Sequence, residues 1–91
     1  MDVSVMALSE EAALETARRF LNTKRRELAH PVRETPSQKS LPRLVTQGKF
    51  AGRQVWSFDF DFAPPAHVLV DPTCVRILVD DANGEAAFFT P

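Results

Sequence analysis

The sequence predicts a single α+β domain, in which one N-terminal helix packs on an antiparallel sheet of three to five strands. Three observations lead to this prediction. The first third of the chain has apolar residues at helical spacing, and the remainder has short segments in which apolar and polar residues alternate. The length of 91 residues suits one domain and not two, so 1–91 is treated as one folding unit.

The helix is predicted over 9–29. Ser9 is a suitable N-cap, and the two acids that follow it lie where the helix dipole favours negative charge. Apolar residues then recur at spacings of three, four and seven, which places them on one face of the helix. These residues are Ala13, Ala17, Phe20, Leu21 and Leu28. Pro31 is expected to end the helix, because proline lacks the N–H group that the helix needs.

A proline-rich connection follows the helix. Residues 30–43 contain three prolines and only two large aliphatic residues, Val32 and Leu41. A loop of this length is unusual in a compact domain. The composition therefore predicts an irregular loop over about 30–43.

Five segments of the remaining chain are predicted as strands. The clearest is 54–62, where aromatic residues alternate with mostly polar ones, a period of two that gives the strand one aromatic face. Trp56, Phe58 and Phe60 on that face are expected to form the core against Ala17, Phe20 and Leu21 of the helix. The other predicted strands are 43–50, 67–70, 74–80 and 85–89.

The stretch VDDANGEA, at 79–86, groups acids and an amide around one glycine. One interpretation is a calcium loop, but few oxygen-bearing side chains follow the glycine. A second is a hairpin with a type I turn over 81–84, in which Gly84 takes the positive φ of a bulge. A third is a two-residue turn at Asn83 and Gly84, which would shift the strand register. The pattern favours a structural turn that binds no metal.

Two groups of residues have side chains suited to catalysis. His67, Asp71 and Cys74 are of the types found in nucleophilic sites, but they lie close together around one proline. Asp59 and Asp61 share one face of a strand and could act as a carboxylate pair, although such residues more often belong to a solvated face. No glycine-rich phosphate loop, cysteine pair or His-x-x-x-His motif is present. The sequence therefore predicts no enzyme, no cofactor and no metal.

The charges are segregated along the chain. Residues 18–53 carry a net charge of +8, whereas 1–17 carry −4 and 54–91 carry −5. The basic segment either contacts an acidic partner or lies over the acidic sheet surface of the same or a neighbouring molecule. The arginines proposed to contact a partner are Arg18, Arg19, Arg25, Arg26, Arg33 and Arg43.

The overall composition predicts a cytoplasmic protein that does not enter a membrane. The net charge is −1, and no apolar run approaches the ~20 residues of a membrane helix. The N-terminus has no secretory pattern, and the single cysteine excludes an internal disulfide.

The helix LSEEAALETARRFL, the strand built around Trp56 and the hairpin VRILVDDANGEA together resemble the PepSY-like pattern. The hairpin has Asn83 where that pattern usually has Thr. The same outline is similar to the YrhB-type bacterial toxin-immunity family, whose members are small and cytosolic. Both resemblances cover the helix and the C-terminal half but not 30–53. They imply an α+β fold and a binding or inhibitory role, and they supply no catalytic residues.

These observations predict a small non-catalytic protein-binding module, of an inhibitory or immunity type and of bacterial origin. Asp59 and Asp61 join the six arginines as candidate partner-binding residues. The alternative is binding of nucleic acid or another acidic partner through 18–53, although the aromatic residues are committed to the core and leave no platform for bases. A homodimer through a sheet edge is a further expectation.

Overall fold

The computed structural model describes residues 8–28, 30–63 and 74–89. It has one helix, α1 (Glu10–Thr23), and four strands, β1 (Gln38–Leu44), β2 (Gln54–Asp61), β3 (Cys74–Asp80) and β4 (Ala86–Phe88). The strands form one sheet in the order β1-β2-β3-β4, and every neighbouring pair is antiparallel. The helix packs on one face of this sheet, which confirms the predicted α+β class.

The helix α1 begins as predicted and ends earlier. The Ser9 hydroxyl oxygen accepts a hydrogen bond from the Ala12 N–H, which caps the first turn. The helix stops at Thr23, and a short 3₁₀ turn occupies Arg25–Glu27. The apolar face of the helix has no large aliphatic residue between Leu21 and Leu28. Further helical turns would therefore bury little apolar surface, and burial is the main source of helix stability.

The first strand lies where the sequence predicted a loop. β1 occupies 38–44. The prediction of an irregular loop over 30–43 is therefore wrong for 38–43, and the prediction of a strand over 43–50 is wrong after 44. The strand forms because its backbone pairs with β2, and its side chains are mostly exposed and show no strong alternation. A bulge between Ser40 and Arg43 accommodates Pro42 on this outer strand.

Residues 45–53 form the β1–β2 loop and not a strand. The Val45 N–H donates to the Arg53 carbonyl at 2.9 Å, and the Gly52 N–H donates to the Val45 carbonyl at 2.7 Å. Gly48 and Gly52 both have positive φ, which favours turns and not a ladder. β2, β3 and β4 lie within the segments predicted for them. The predicted strand over 67–70 lies outside the described residues.

The core lies between α1 and the middle of the sheet. Ala17 and Leu21 of the helix are buried, and the small alanine side chains allow the helix to lie close to the strands. The predicted aromatic stripe faces them, and Phe20 is partly buried at its side. The sheet contributes five buried residues to this core, namely Trp56, Phe58, Phe60, Ile77 and Val79. The predicted core is thus confirmed. None of the helices in the described part of the chain has the length and apolar character that a bilayer crossing requires.

Candidate functional site: the uncovered face of the sheet

The helix covers one face of the sheet and leaves the other face uncovered. Because side chains alternate along a strand, the residues between the aromatic ones in β2 point to this second face. Val55, Ser57 and Asp59 of β2 therefore lie beside Leu78 and Arg76 of β3, their register partners or neighbours. We call this side of the sheet the open face.

The loop 45–53 folds onto one end of the open face. Phe50 in this loop is buried, as is Val55 of β2, but neither belongs to the core under α1. Ion pairs of Lys49 and Arg53 hold the loop against the β3–β4 hairpin. Lys49 Nζ lies 2.9 Å from Glu85 Oε2, and Arg53 Nη1 lies 3.0 Å from Asp80 Oδ2. The loop is thus fixed by one aromatic residue and by charges at both of its sides.

The loop and the four strands enclose a groove of about 540 Å³ on the open face, here called the open-face groove. The uncharged open-face residues of β2, β3 and β4 form its floor, namely Val55, Ser57, Leu78 and Ala87. The floor is mostly apolar, whereas many of the exposed lining residues are charged or polar. Ser40 also lines the groove, and its hydroxyl oxygen is buried without a hydrogen-bond partner among the described residues. Such an atom is unusual in a structure optimised for stability alone.

An ion pair between a buried carboxylate and an exposed guanidinium crosses the groove. Arg76 Nε lies 2.7 Å from Asp59 Oδ1, and Arg76 Nη2 lies 3.1 Å from Asp59 Oδ2, a bidentate arrangement. The hydrogen bond to Asp59 raises the pKa of the Arg76 guanidinium, which therefore stays charged. The guanidinium also lies over the ring of Phe89, 5.6 Å from its centroid. Asp59 is only 7% exposed, so it does not belong to the solvated face that the sequence suggested.

The groove is lined by more positive than negative side chains. Three cations, Arg43, Lys49 and Arg76, and one carboxylate, that of Asp59, lie along the open face. Lys39 also lines the groove, but its side chain pairs with Glu10 of α1 on the opposite face of the sheet. Two of the three open-face cations have ion-pair partners, Glu85 for Lys49 and Asp59 for Arg76. Arg43 forms no ion pair with any residue that the structure describes, and it is exposed. The unbalanced positive charge of the groove therefore lies on Arg43.

The acidic residues of the hairpin VDDANGEA, at 79–86, form hydrogen bonds within the fold. The Gly84 N–H donates to the Asp80 carbonyl at 2.8 Å, which closes a turn one residue longer than the predicted type I turn. Gly84 has the predicted positive φ of 75°, and the two-residue turn at Asn83 and Gly84 is not formed. The carboxylate of Asp80 accepts hydrogen bonds from Arg53 and from the Ala82 N–H, and it is almost fully buried.

The second acid of the hairpin joins three parts of the fold. Asp81 Oδ1 accepts a hydrogen bond of 2.7 Å from the indole Nε1–H of Trp56 and one of 3.1 Å from the Leu8 N–H. It therefore links the hairpin to the core and to the segment before α1. Among residues 8–28, 30–63 and 74–89, no three His, Cys, Asp or Glu side chains are placed to hold a metal ion.

The predicted nucleophilic group can be assessed only at Cys74, since His67 and Asp71 lie outside the described residues. Cys74 is half-buried at the start of β3 and pairs in register with Asp61. Burial raises the pKa of the Cys74 thiol, and the carboxylates of Asp59 and Asp61 raise it further. An activated thiol has a lowered pKa, so this environment is the opposite of that of a nucleophile. Asp61 accepts a hydrogen bond from the Ser37 hydroxyl at 2.9 Å.

The six predicted arginines do not form one surface. Arg18 donates to the Glu34 carbonyl, Arg19 pairs with Glu15, and Arg25 pairs with the Glu34 carboxylate. These three belong to α1 or the turn after it, on the helix side of the sheet, whereas Arg43 pairs in register with Val55 on the open face. Arg26 and Arg33 are exposed outside the open-face groove. Much of the basic segment is therefore neutralised within the molecule.

Sequence reasoning identified Arg43 and Asp59 but missed the rest of the groove. Val55, Leu78 and Ala87 are apolar at strand positions where alternation would place polar residues, and that departure was the available signal. Their convergence depends on strand register, which the sequence did not reveal.

Comparison of the chain with protein-family models, with curated proteins and with solved structures finds no match. The resemblance to PepSY-like and YrhB-type proteins therefore stays a prediction.

Proposed function

We propose that this protein is a non-catalytic binding module whose partner is another protein and whose binding surface is the open-face groove. The observation that carries the proposal is the apolar floor on a sheet face that no described element covers fully. Sheet faces exposed to solvent are usually polar, so Val55, Leu78 and Ala87 need another explanation. Binding of apolar side chains from a partner supplies one.

The groove has the dimensions and composition of a binding site. Its volume of about 540 Å³ falls within the roughly 300–1,000 Å³ that is usual for pockets that bind ligands. It combines apolar floor residues with a few charged groups, as binding sites generally do. The raised pKa of the Cys74 thiol and the engagement of Asp59 by Arg76 support binding over catalysis. Neutralisation of another bacterial protein, which the family resemblance implies, is the form of binding we propose.

The proposal is tested with a matched pair of alanine-to-tryptophan variants. Ala87→Trp fills the groove, whereas Ala12→Trp places the same side chain on the exposed side of α1. The immobilised proteins are used to capture partners from a cell lysate at physiological salt. We expect the wild type and Ala12→Trp to retain one protein in a stoichiometric amount, and Ala87→Trp not to retain it. Circular dichroism establishes that both variants fold. Capture of the same protein by Ala87→Trp would contradict the proposal. So would capture that disappears when the lysate is treated with nuclease.

The catalytic alternative has its own test. Wild-type protein is screened against general esterase, phosphatase and peptidase substrates, together with Cys74→Ser and Asp59→Asn. We expect no turnover above background. Wild-type turnover that either substitution abolishes would establish an enzyme and refute the non-catalytic proposal.

A further inference from the structure

The geometry points to an acidic protein segment with bulky apolar side chains as the occupant of the open-face groove. This inference rests on the proposed function and adds the chemistry of the partner. The floor determines the apolar part of that chemistry, and the cations around it determine the charged part. The two features are independent, since the floor residues carry no charge.

The apolar requirement follows from the floor. Val55 is buried, and Leu78 and Ala87 are half-buried, so the floor still exposes some aliphatic surface. Phe50 at one end and Phe89 at the other limit its length, and Phe89 is 44% exposed. Aliphatic or aromatic side chains that lie between these rings would remove the remaining apolar surface from water.

The acidic requirement follows from the charges. Three cations and one carboxylate have their side chains on the open face, in a chain whose net charge is −1. When Glu85, the partner of Lys49, is included, the positive charge of Arg43 is still unbalanced. Arg43 can form a bidentate contact with a carboxylate, as Arg76 already does with Asp59.

Arg76 can donate hydrogen bonds to a second carboxylate on the side of its guanidinium that faces away from Asp59. Asp59 engages Nε and Nη2 of Arg76, and no hydrogen bond from Nη1 is formed within the described residues. Arg76 is also exposed, unlike its buried partner. The guanidinium therefore keeps donors for a second carboxylate. A segment with acids spaced to reach both Arg43 and Arg76 would satisfy both ends of the site.

The inference is tested by selection from a library of random displayed dodecapeptides on immobilised full-length protein. Peptides retained by the wild type but not by Ala87→Trp are sequenced. We expect enrichment of Asp and Glu together with Leu, Phe or Trp, and weaker retention as salt rises from roughly 50 to 200 mM. Retained peptides without an acidic bias would overturn this inference and leave the proposed function standing. If no retained peptide is lost with Ala87→Trp, both this inference and the proposed function fail.

Charge reversal provides the second measurement. Arg43→Glu should weaken binding of a selected acidic peptide about fivefold to 30-fold, because an exposed ion pair is replaced by repulsion. Arg33→Glu makes the same charge change at an exposed position outside the groove and should alter affinity less than about twofold. Equal effects of the two variants would overturn the inference. So would binding of a single-stranded oligonucleotide, or a concentration-dependent dimer, that Arg43→Glu abolishes.

Discussion

Removal of the Asp81 carboxylate should destabilise the fold more than its half-buried position suggests. Asp81 Oδ1 is the hydrogen-bond acceptor for the indole N–H of Trp56, and Trp56 is only 6% exposed. In Asp81→Ala this buried donor has no partner, which costs about 1–3 kcal/mol. The Leu8 N–H also loses the carboxylate, but it already reaches the main-chain carbonyl of residue 81 at 3.3 Å, so this change adds little.

The unpaired indole N–H predicts that Asp81→Ala lowers the free energy of unfolding by about 1–3 kcal/mol. A domain of this length is stable by only about 5–14 kcal/mol, so the change is a large share of the total. Asp81→Asn keeps an acceptor oxygen near the indole and loses only the charge, so it should cost about 1 kcal/mol.

The assay is urea denaturation followed by fluorescence, since Trp56 is the only tryptophan in the chain. With an m-value of about 1 kcal/mol per molar urea, Asp81→Ala should lower the midpoint by about 1–3 M. Glu11→Ala serves as the control, since it removes an exposed carboxylate that forms no side-chain hydrogen bond or ion pair with the described residues. A loss below about 0.5 kcal/mol for Asp81→Ala would refute the reasoning. Equal losses for Asp81→Ala and Asp81→Asn would attribute the effect to charge and not to the acceptor.

Three further predictions concern the core, the thiol and the hairpin. Phe58→Ala should lower the free energy of unfolding by about 3–5 kcal/mol, because Phe58 is fully buried under α1. A melting temperature lowered by only about a degree or two would show that Phe58 does not belong to the core. The raised pKa of Cys74 leaves less thiolate at a given pH, so its alkylation by iodoacetamide at mildly alkaline pH should be slower than that of an unstructured thiol. Asp59→Asn removes one of the carboxylates that raise the pKa of the thiol, so it should speed that reaction. An unchanged rate would contradict the contribution assigned to Asp59. Calcium should produce no saturable change in the amide NMR signals of 80–86, whereas saturation at micromolar calcium would establish a metal site.

The positions of α1 and of the central strands could be predicted because their patterns are local. The spacing of Ala13, Ala17 and Leu21 defines a helix face whatever the helix packs against. The alternation from Trp56 to Phe60 likewise defines a strand with one buried face. Core formation follows, since these two apolar surfaces have only each other to cover them.

β1 could not be predicted in the same way, because it is stabilised by its partner. Its side chains give no alternating pattern, and its stability comes from backbone hydrogen bonds to β2, which any sequence can donate or accept. Pro42 in its middle even argued against a strand, until the bulge on an outer strand accommodated it. The predicted strand over 43–50 extended past the end of β1 into the loop because Val45 and Phe50 resemble core residues, and they line the groove instead.

The sequence by itself determined the fold class, the helix with its N-cap, the aromatic core and the segregation of charge, since each of these follows from the order of residue types. Tertiary structure alone decided how the charged residues are used. Asp59 and Arg76 are 17 positions apart, and only the β2–β3 register brings them into contact. The same register and the β1–β2 bulge place Arg43 over an apolar floor, because pairing in a sheet joins residues that are distant in the chain.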